Sequence, residues 1–111
     1  MAEGISRGEI RLCPFPAPDK RRPVVVLTRD AAILYLTGVT VAPITSAIRG
    51  VPSEVKLDTE DGLKGPCAVN LYNAITVSKH QLGPRIAQLR PEKMREVCSA
   101  MRFALGCNAE Q

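Results

Sequence analysis

The sequence predicts a mainly β fold of the α+β class: a small β-barrel with one α-helix at its C-terminal end. Short β-branched or alternating runs recur about every ten residues, separated by Gly and Pro turn signals, as in a closed or nearly closed barrel. The C-terminal stretch changes period: from Pro91 the apolar positions Met94, Val97, Cys98, Met101, Ala104 and Leu105 follow the spacing of one helical face.

The elements follow in order. Residues 7–13, RGEIRLC, alternate polar and apolar and predict a first strand, and the three prolines of PFPAPD end it. VVVLT is a β-branched run suited to a strand buried on both faces. Asp30 is a candidate cap for a helical turn over Ala31–Leu36, closed by Gly38. Residues 39–44, VTVAPI, predict the next strand, with Pro43 marking an edge or a break. SEVKL, CAVNLYN, ITVSK and RIAQL complete the strands, and DTEDGLKGP supplies turn punctuation. In the terminal helix Pro91 suits the first position, Glu92 the positive end of the dipole, and Gly106 the stop.

At 111 residues, residues 1–111 form one domain with a single core. Hydrophobic residues at 45% and charged residues at 23% exclude wholesale disorder. Aromatics are only 4%, without Trp, which argues against a nucleic-acid binder built on an aromatic stacking platform. The net charge of +4 suits a polyanionic partner. Seven Lys/Arg oppose four Asp/Glu up to Gly50, and eight oppose seven after it, so the excess is early.

No apolar run has the length to cross a bilayer and the start lacks a signal-peptide pattern, so the expectation is a cytoplasmic protein without membrane contact. Cys13, Cys67, Cys98 and Cys107 are far apart and there is one histidine, His80; reduced, mostly buried thiols are expected and no metal site or cofactor. His80 reads as exposed. Asp58, Glu60 and Asp61 read as solvated carboxylates of a hairpin turn.

The chemistry-bearing stretches are KRRPVVVL and VAPITSAIRG. If the two strands are antiparallel neighbours, Arg22 at the start of one and Thr45 at the end of the other share one end of the sheet. A guanidinium fork and a short hydroxyl donor could together hold a phosphodiester.

These stretches, with RGEIRL, PSEVKL, GLKGPCAVNLYNAITVSKHQLGPRI and the closing PEKMREVCSAMRFALG, resemble the MazF/PemK family of toxin endoribonucleases, the mRNA interferases of type II toxin–antitoxin systems. The resemblance implies an SH3-like barrel of the CcdB/PemK type. It implies metal-independent cleavage of single-stranded RNA by 2′-hydroxyl attack, leaving a 2′,3′-cyclic phosphate and a 5′-hydroxyl. It places Arg22 and Thr45 on the catalytic pair. It also implies a homodimer in a bacterial cytoplasm, neutralised by a cognate antitoxin with an acidic C-terminal segment.

A guanidinium, with a pKa above about 12, is a poor proton acceptor, which favours Arg22 as a stabiliser of phosphoryl charge with Thr45 as hydrogen-bond donor. The RNA-binding candidates are Lys20, Arg21, Ser46, Arg49 and Asn73. One departure is Tyr72, standing before Asn73 where many relatives carry Asp; the cleavage sequence is open at that point. Another is Arg90, where a capping Ser or Thr is common. Two other readings keep the fold: a CcdB-like, gyrase-binding toxin, or a nonenzymatic RNA-binding module.

Overall fold

The structure, a computed structural model, is described for residues 4–14 and 21–107. The strands are β1 (Glu9–Pro14), β2 (Arg21–Val26), β3 (Gly38–Thr45), β4 (Glu54–Leu57), β5 (Cys67–Asn70), β6 (Ile75–Ser78) and β7 (Arg85–Gln88); the helices are α1 (Asp30–Ile33) and α2 (Pro91–Leu105). All paired strands are antiparallel, in the order β4-β5-β3-β2-β1-β7, with β6 also on β3. This is the mainly β, helix-terminated architecture expected, a curled half-barrel.

β3 organises the sheet. One side pairs with β2; on the other, Gly38 to Val41 pair with β6, and Ile44 and Thr45 pair with β5. Pro43 falls in the gap between those two outer partners while lying opposite Val24. The expected break is present, but β3 is no edge: the missing N–H coincides with the switch of neighbours, where no ladder bond is lost.

The sheet is buried on both faces. One face carries Ile10, Val25, Ala42, Ile44, Val55, Leu57 and Val69 under Val97 and Ala100 of α2. The other carries Cys13, Val24, Val26, Val39 and Val41 with Ile5 and Ile33. Val24, Val25 and Val26 are all fully buried, as a β-branched run without alternation requires.

β4 and β7 are not hydrogen-bonded to each other in the sheet path; the β4–β5 connection leans across instead. Gly62, at φ 95°, sits so close to Ala87 of β7 that a Cβ there would lie 2.6 Å from the alanine methyl. Asp61 in the same turn lies 3.6 Å from Arg90.

Several local expectations need correction. Asp30 does not cap α1: Arg29 holds the cap position, and the Asp30 carboxylate instead accepts the Arg7 N–H at 2.7 Å and the Ser6 hydroxyl at 3.3 Å. Residues 34–36 lie outside the helix, and Gly38 opens β3 rather than ending a helix. The Asp61 side chain is only 3% exposed, because its carboxylate closes a reciprocal capping box with Asp58 and faces Arg90; Asp58 and Glu60 are exposed as expected. CAVNLYN splits into β5 and a 3₁₀ turn over Leu71–Asn73, started by Asn70, whose side chain accepts the Tyr72 N–H. Only two of the four thiols, Cys13 and Cys67, are buried.

α2 follows the expectation at both ends, with Pro91 first and Gly106 left-handed at φ 72°. Leu105, expected on the buried stripe, is 69% exposed because it lies at the final turn beyond the sheet; Ala100 takes the core contact instead.

Candidate active site

Strand alternation decides where the opening cations point. In β2 the side chains of Arg22, Val24 and Val26 share one face, and in β3 those of Thr45, Pro43 and Val41 share the same one. Continuing the Val24↔Pro43 register by two residues brings Arg22 opposite Thr45. Both line a cavity of about 150 Å³ with Pro43, Ala47, Arg49, Glu54, Asn70 and Asn73.

The Thr45 hydroxyl is oriented. Its Oγ1 accepts the Ala47 N–H at 3.1 Å, so one lone pair is occupied and the hydroxyl proton is directed elsewhere. Glu54, at the start of β4, accepts the N–H groups of Arg49 and Gly50, both at 3.0 Å, with a single oxygen, Oε1. That pair of bonds fixes the loop carrying Arg49 to the cavity wall; Gly50, at φ 73°, makes the turn possible. Asn70 at the end of β5 spends its side-chain carbonyl on the Tyr72 N–H at 3.1 Å, which leaves its amide hydrogens as donors beside the cavity.

A second cavity of about 460 Å³ begins on the far side of Thr45. It is lined by Arg21, Ser46 and Lys64 over an apolar floor that includes Leu12, Ile44, Leu63 and Ile86. Arg21 leaves β2 on the opposite face from Arg22, and its guanidinium lies against Gly83. Cys67 lies at the wall, its thiol pushed up by burial and secondarily by the carboxylates of Asp61 and Asp58. Burial likewise raises the Cys13 thiol, against the opposing pull of Arg21.

The candidate residues therefore divide. Arg22, Thr45, Arg49 and Asn73 meet at one cavity, while Arg21 and Ser46 stand at its neighbour, with Thr45 shared by both. Lys20 lies outside the described residues. Tyr72 is 62% exposed, so it is no core residue, and it lines a further recess with Asn73, Val51 and Phe103. His80 is exposed in a 3₁₀ turn, away from both cavities. Sequence reasoning missed Glu54, Asn70 and Lys64. Asn70 carried a signal, a polar residue closing an apolar strand; Glu54 carried none, because its role depends on backbone donors of another segment.

A guanidinium, a hydroxyl and an amide gathered at one cavity of a small half-barrel form a donor set chemically suited to an oxyanion such as a phosphodiester. The family follows from comparison with known proteins. Residues 6–105 match the model of the PemK-like, MazF-like toxin of type II toxin–antitoxin systems, and the chain belongs to that family. It is 43% identical over 104 residues to a Mycobacterium tuberculosis protein named "Probable endoribonuclease MazF5", covering 93% of this chain and 94% of that one. It is 45% identical over 71 residues to "Endoribonuclease MazF3" of the same species, covering 64% of this chain and 69% of that one. Among solved structures, "Mycobacterium tuberculosis toxin MazF-mt6" matches with a TM-score of 0.81 at 36% identity, over 88% of this chain and 96% of that one. "Endoribonuclease in complex with its cognate antitoxin from Mycobacterial species" matches with a TM-score of 0.83 at 25% identity, over 94% and 97%.

Proposed function

We propose that this chain is the endoribonuclease toxin of a toxin–antitoxin pair and that it cuts single-stranded RNA at the cavity shared by Arg22 and Thr45. The observation that carries the reading is the placement of those two side chains on one face and at one end of the β2–β3 pair, around a common cavity. The relatives named as endoribonucleases support the activity, and the related toxin solved with its antitoxin supports the partner.

In this mechanism the ribose 2′-oxygen attacks the adjacent phosphorus, the bond to the 5′-oxygen breaks, and the products carry a 2′,3′-cyclic phosphate and a 5′-hydroxyl. The 2′-hydroxyl gives up its proton and the leaving 5′-oxygen gains one. Arg22 stabilises the charge that gathers on the non-bridging oxygens, and the Thr45 hydroxyl, aimed by its bond from Ala47, donates to one of them. Arg49 and Asn73 hold the strand at the same cavity, and Arg21 and Ser46 hold it at the neighbouring one. No metal or cofactor takes part. The active form is a bacterial, cytoplasmic homodimer, and the antitoxin covers the basic groove with an acidic segment.

Purified protein is incubated with a long single-stranded RNA in EDTA, beside Arg22→Ala. Discrete fragments from the wild type and none from the variant support the reading. Intact RNA bound in a salt-dependent manner would instead indicate a binding module, and intact, unbound RNA would favour a protein-directed toxin of the CcdB type.

A further inference from the structure

The far end of β2 carries a second gathering of cations. Arg7 precedes β1, and its side chain is fixed at two points: Nε donates to the Leu27 carbonyl at 3.1 Å and Nη2 to Cys98 Sγ at 3.0 Å. Its backbone N–H is tied to Asp30. On α2, Arg95, Cys98 and Arg102 follow the i, i+3, i+7 spacing of one helical face. With Pro91 and Met94 these four residues line an open cavity of about 470 Å³, and no carboxylate is among its lining residues.

Three arginines thus line one space, and among its described lining residues the side-chain acceptors are sulfur alone. Sulfur is a weak acceptor, and Arg7, half-buried, directs a charged donor at it. Like charges gathered around one open recess repel, and an anion placed between them reverses the sign of that interaction. Arginine forks fit the oxygens of a tetrahedral oxyanion, which would replace the thiol as acceptor with a shorter, stronger bond. The separation from the candidate active site matters as well: Arg22 to Leu27 spans five residues of extended chain, roughly 16 Å, too far to reach the same phosphate.

We propose that Arg7, Arg95 and Arg102, around Cys98, form a second oxyanion site that takes a phosphate group, carried by a nucleic-acid strand or by free inorganic phosphate. The site is independent of the ribonuclease reading and stands or falls without it.

Cys98 is the reporter. Alkylation of full-length protein by anionic iodoacetate and by neutral iodoacetamide is followed at the Cys98 peptide by mass spectrometry, with N-acetylcysteinamide in the same tube as reference. The expected iodoacetate preference at Cys98 is severalfold above the reference. It falls to the reference value in the Arg95→Gln/Arg102→Gln double variant, whose changes are at exposed positions and leave the core intact. Millimolar inorganic phosphate suppresses the preference in the wild type. A single-stranded oligodeoxynucleotide, which has phosphates but no 2′-hydroxyl to be cut, protects Cys98 if the strand is the source. Protection by inorganic phosphate alone assigns the free anion. An unchanged preference in the double variant, or protection by an acidic peptide and by neither phosphate source, overturns the proposal. Should Cys98 resist both reagents, titration calorimetry with inorganic phosphate decides: equal heats from wild type and double variant also overturn it.

Discussion

Thr45→Val is the sharpest test of the proposed chemistry, because it keeps the β-branched shape of the side chain and removes only its hydroxyl. Two interactions go with that oxygen. One is the bond accepted from the Ala47 N–H at 3.1 Å, at an exposed position, worth about 0.5–1.5 kcal/mol of stability. In a domain of this size that is a fall in Tm of about 2–8 °C. The other is the donor that the proposed mechanism assigns to this hydroxyl at the cavity shared with Arg22. Loss of one preorganised donor to a transition-state oxyanion costs about 100- to 1000-fold in rate, or roughly 3–4 kcal/mol. The two losses separate experimentally. Single-turnover cleavage of a fluorescent RNA well below Tm reads the second, and thermal denaturation reads the first. Thr45→Ser restores most of both, since it keeps the oxygen. Cleavage by Thr45→Val within about threefold of the wild type would show that the hydroxyl does not meet the reacting phosphate, whatever the change in Tm.

Arg22→Lys keeps the charge but loses the planar fork, and should lose at least about 100-fold in cleavage rate with little change in Tm; near-normal turnover by the folded variant contradicts the assignment. Gly62→Ala forces a side chain into the left-handed region and against Ala87, so it should destabilise by at least about 1–2 kcal/mol, read as a lower denaturation midpoint; unchanged stability would mean that the β4–β5 turn is not packed on β7. Cys13 and Cys67 have thiols raised above the ordinary value of 9.0 by burial, so the folded chain keeps protons that the unfolded chain releases. Their contribution is fully present below pH 9.0 and is lost as pH rises through the folded values. Urea midpoints from pH 8 to 10 should therefore fall more steeply in the wild type than in Cys67→Ala, and parallel slopes would count against it.

Most of the architecture was legible in the chain because its local and global signals agree. Three consecutive valines without alternation required a strand buried on both faces, and β2 has sheet-face cores on each side. Pro91 and Gly106 marked the limits of α2 through backbone constraints that act within one turn. Asp30 caps no helix, and Pro43 marks a break without an edge, for one reason: the deciding partner is remote in sequence. Asp30 is drawn to Arg7, 23 residues away, and Pro43 is tolerated in a central strand because two other strands end beside it.

The sequence by itself determined the class of the fold, the helix limits, the early concentration of positive charge and, through the family resemblance, the candidates Arg22 and Thr45, since composition, period and residue order are properties of the chain alone. Only the tertiary structure decided that Arg21 and Arg22, adjacent in sequence, line different cavities, that Glu54 and Asn70 line the one shared by Arg22 and Thr45, and that Arg7 reaches Cys98 across 91 positions. Strand alternation sends neighbours to opposite faces, and antiparallel register chooses which distant side chains share a face; both are fixed when the sheet closes on its core.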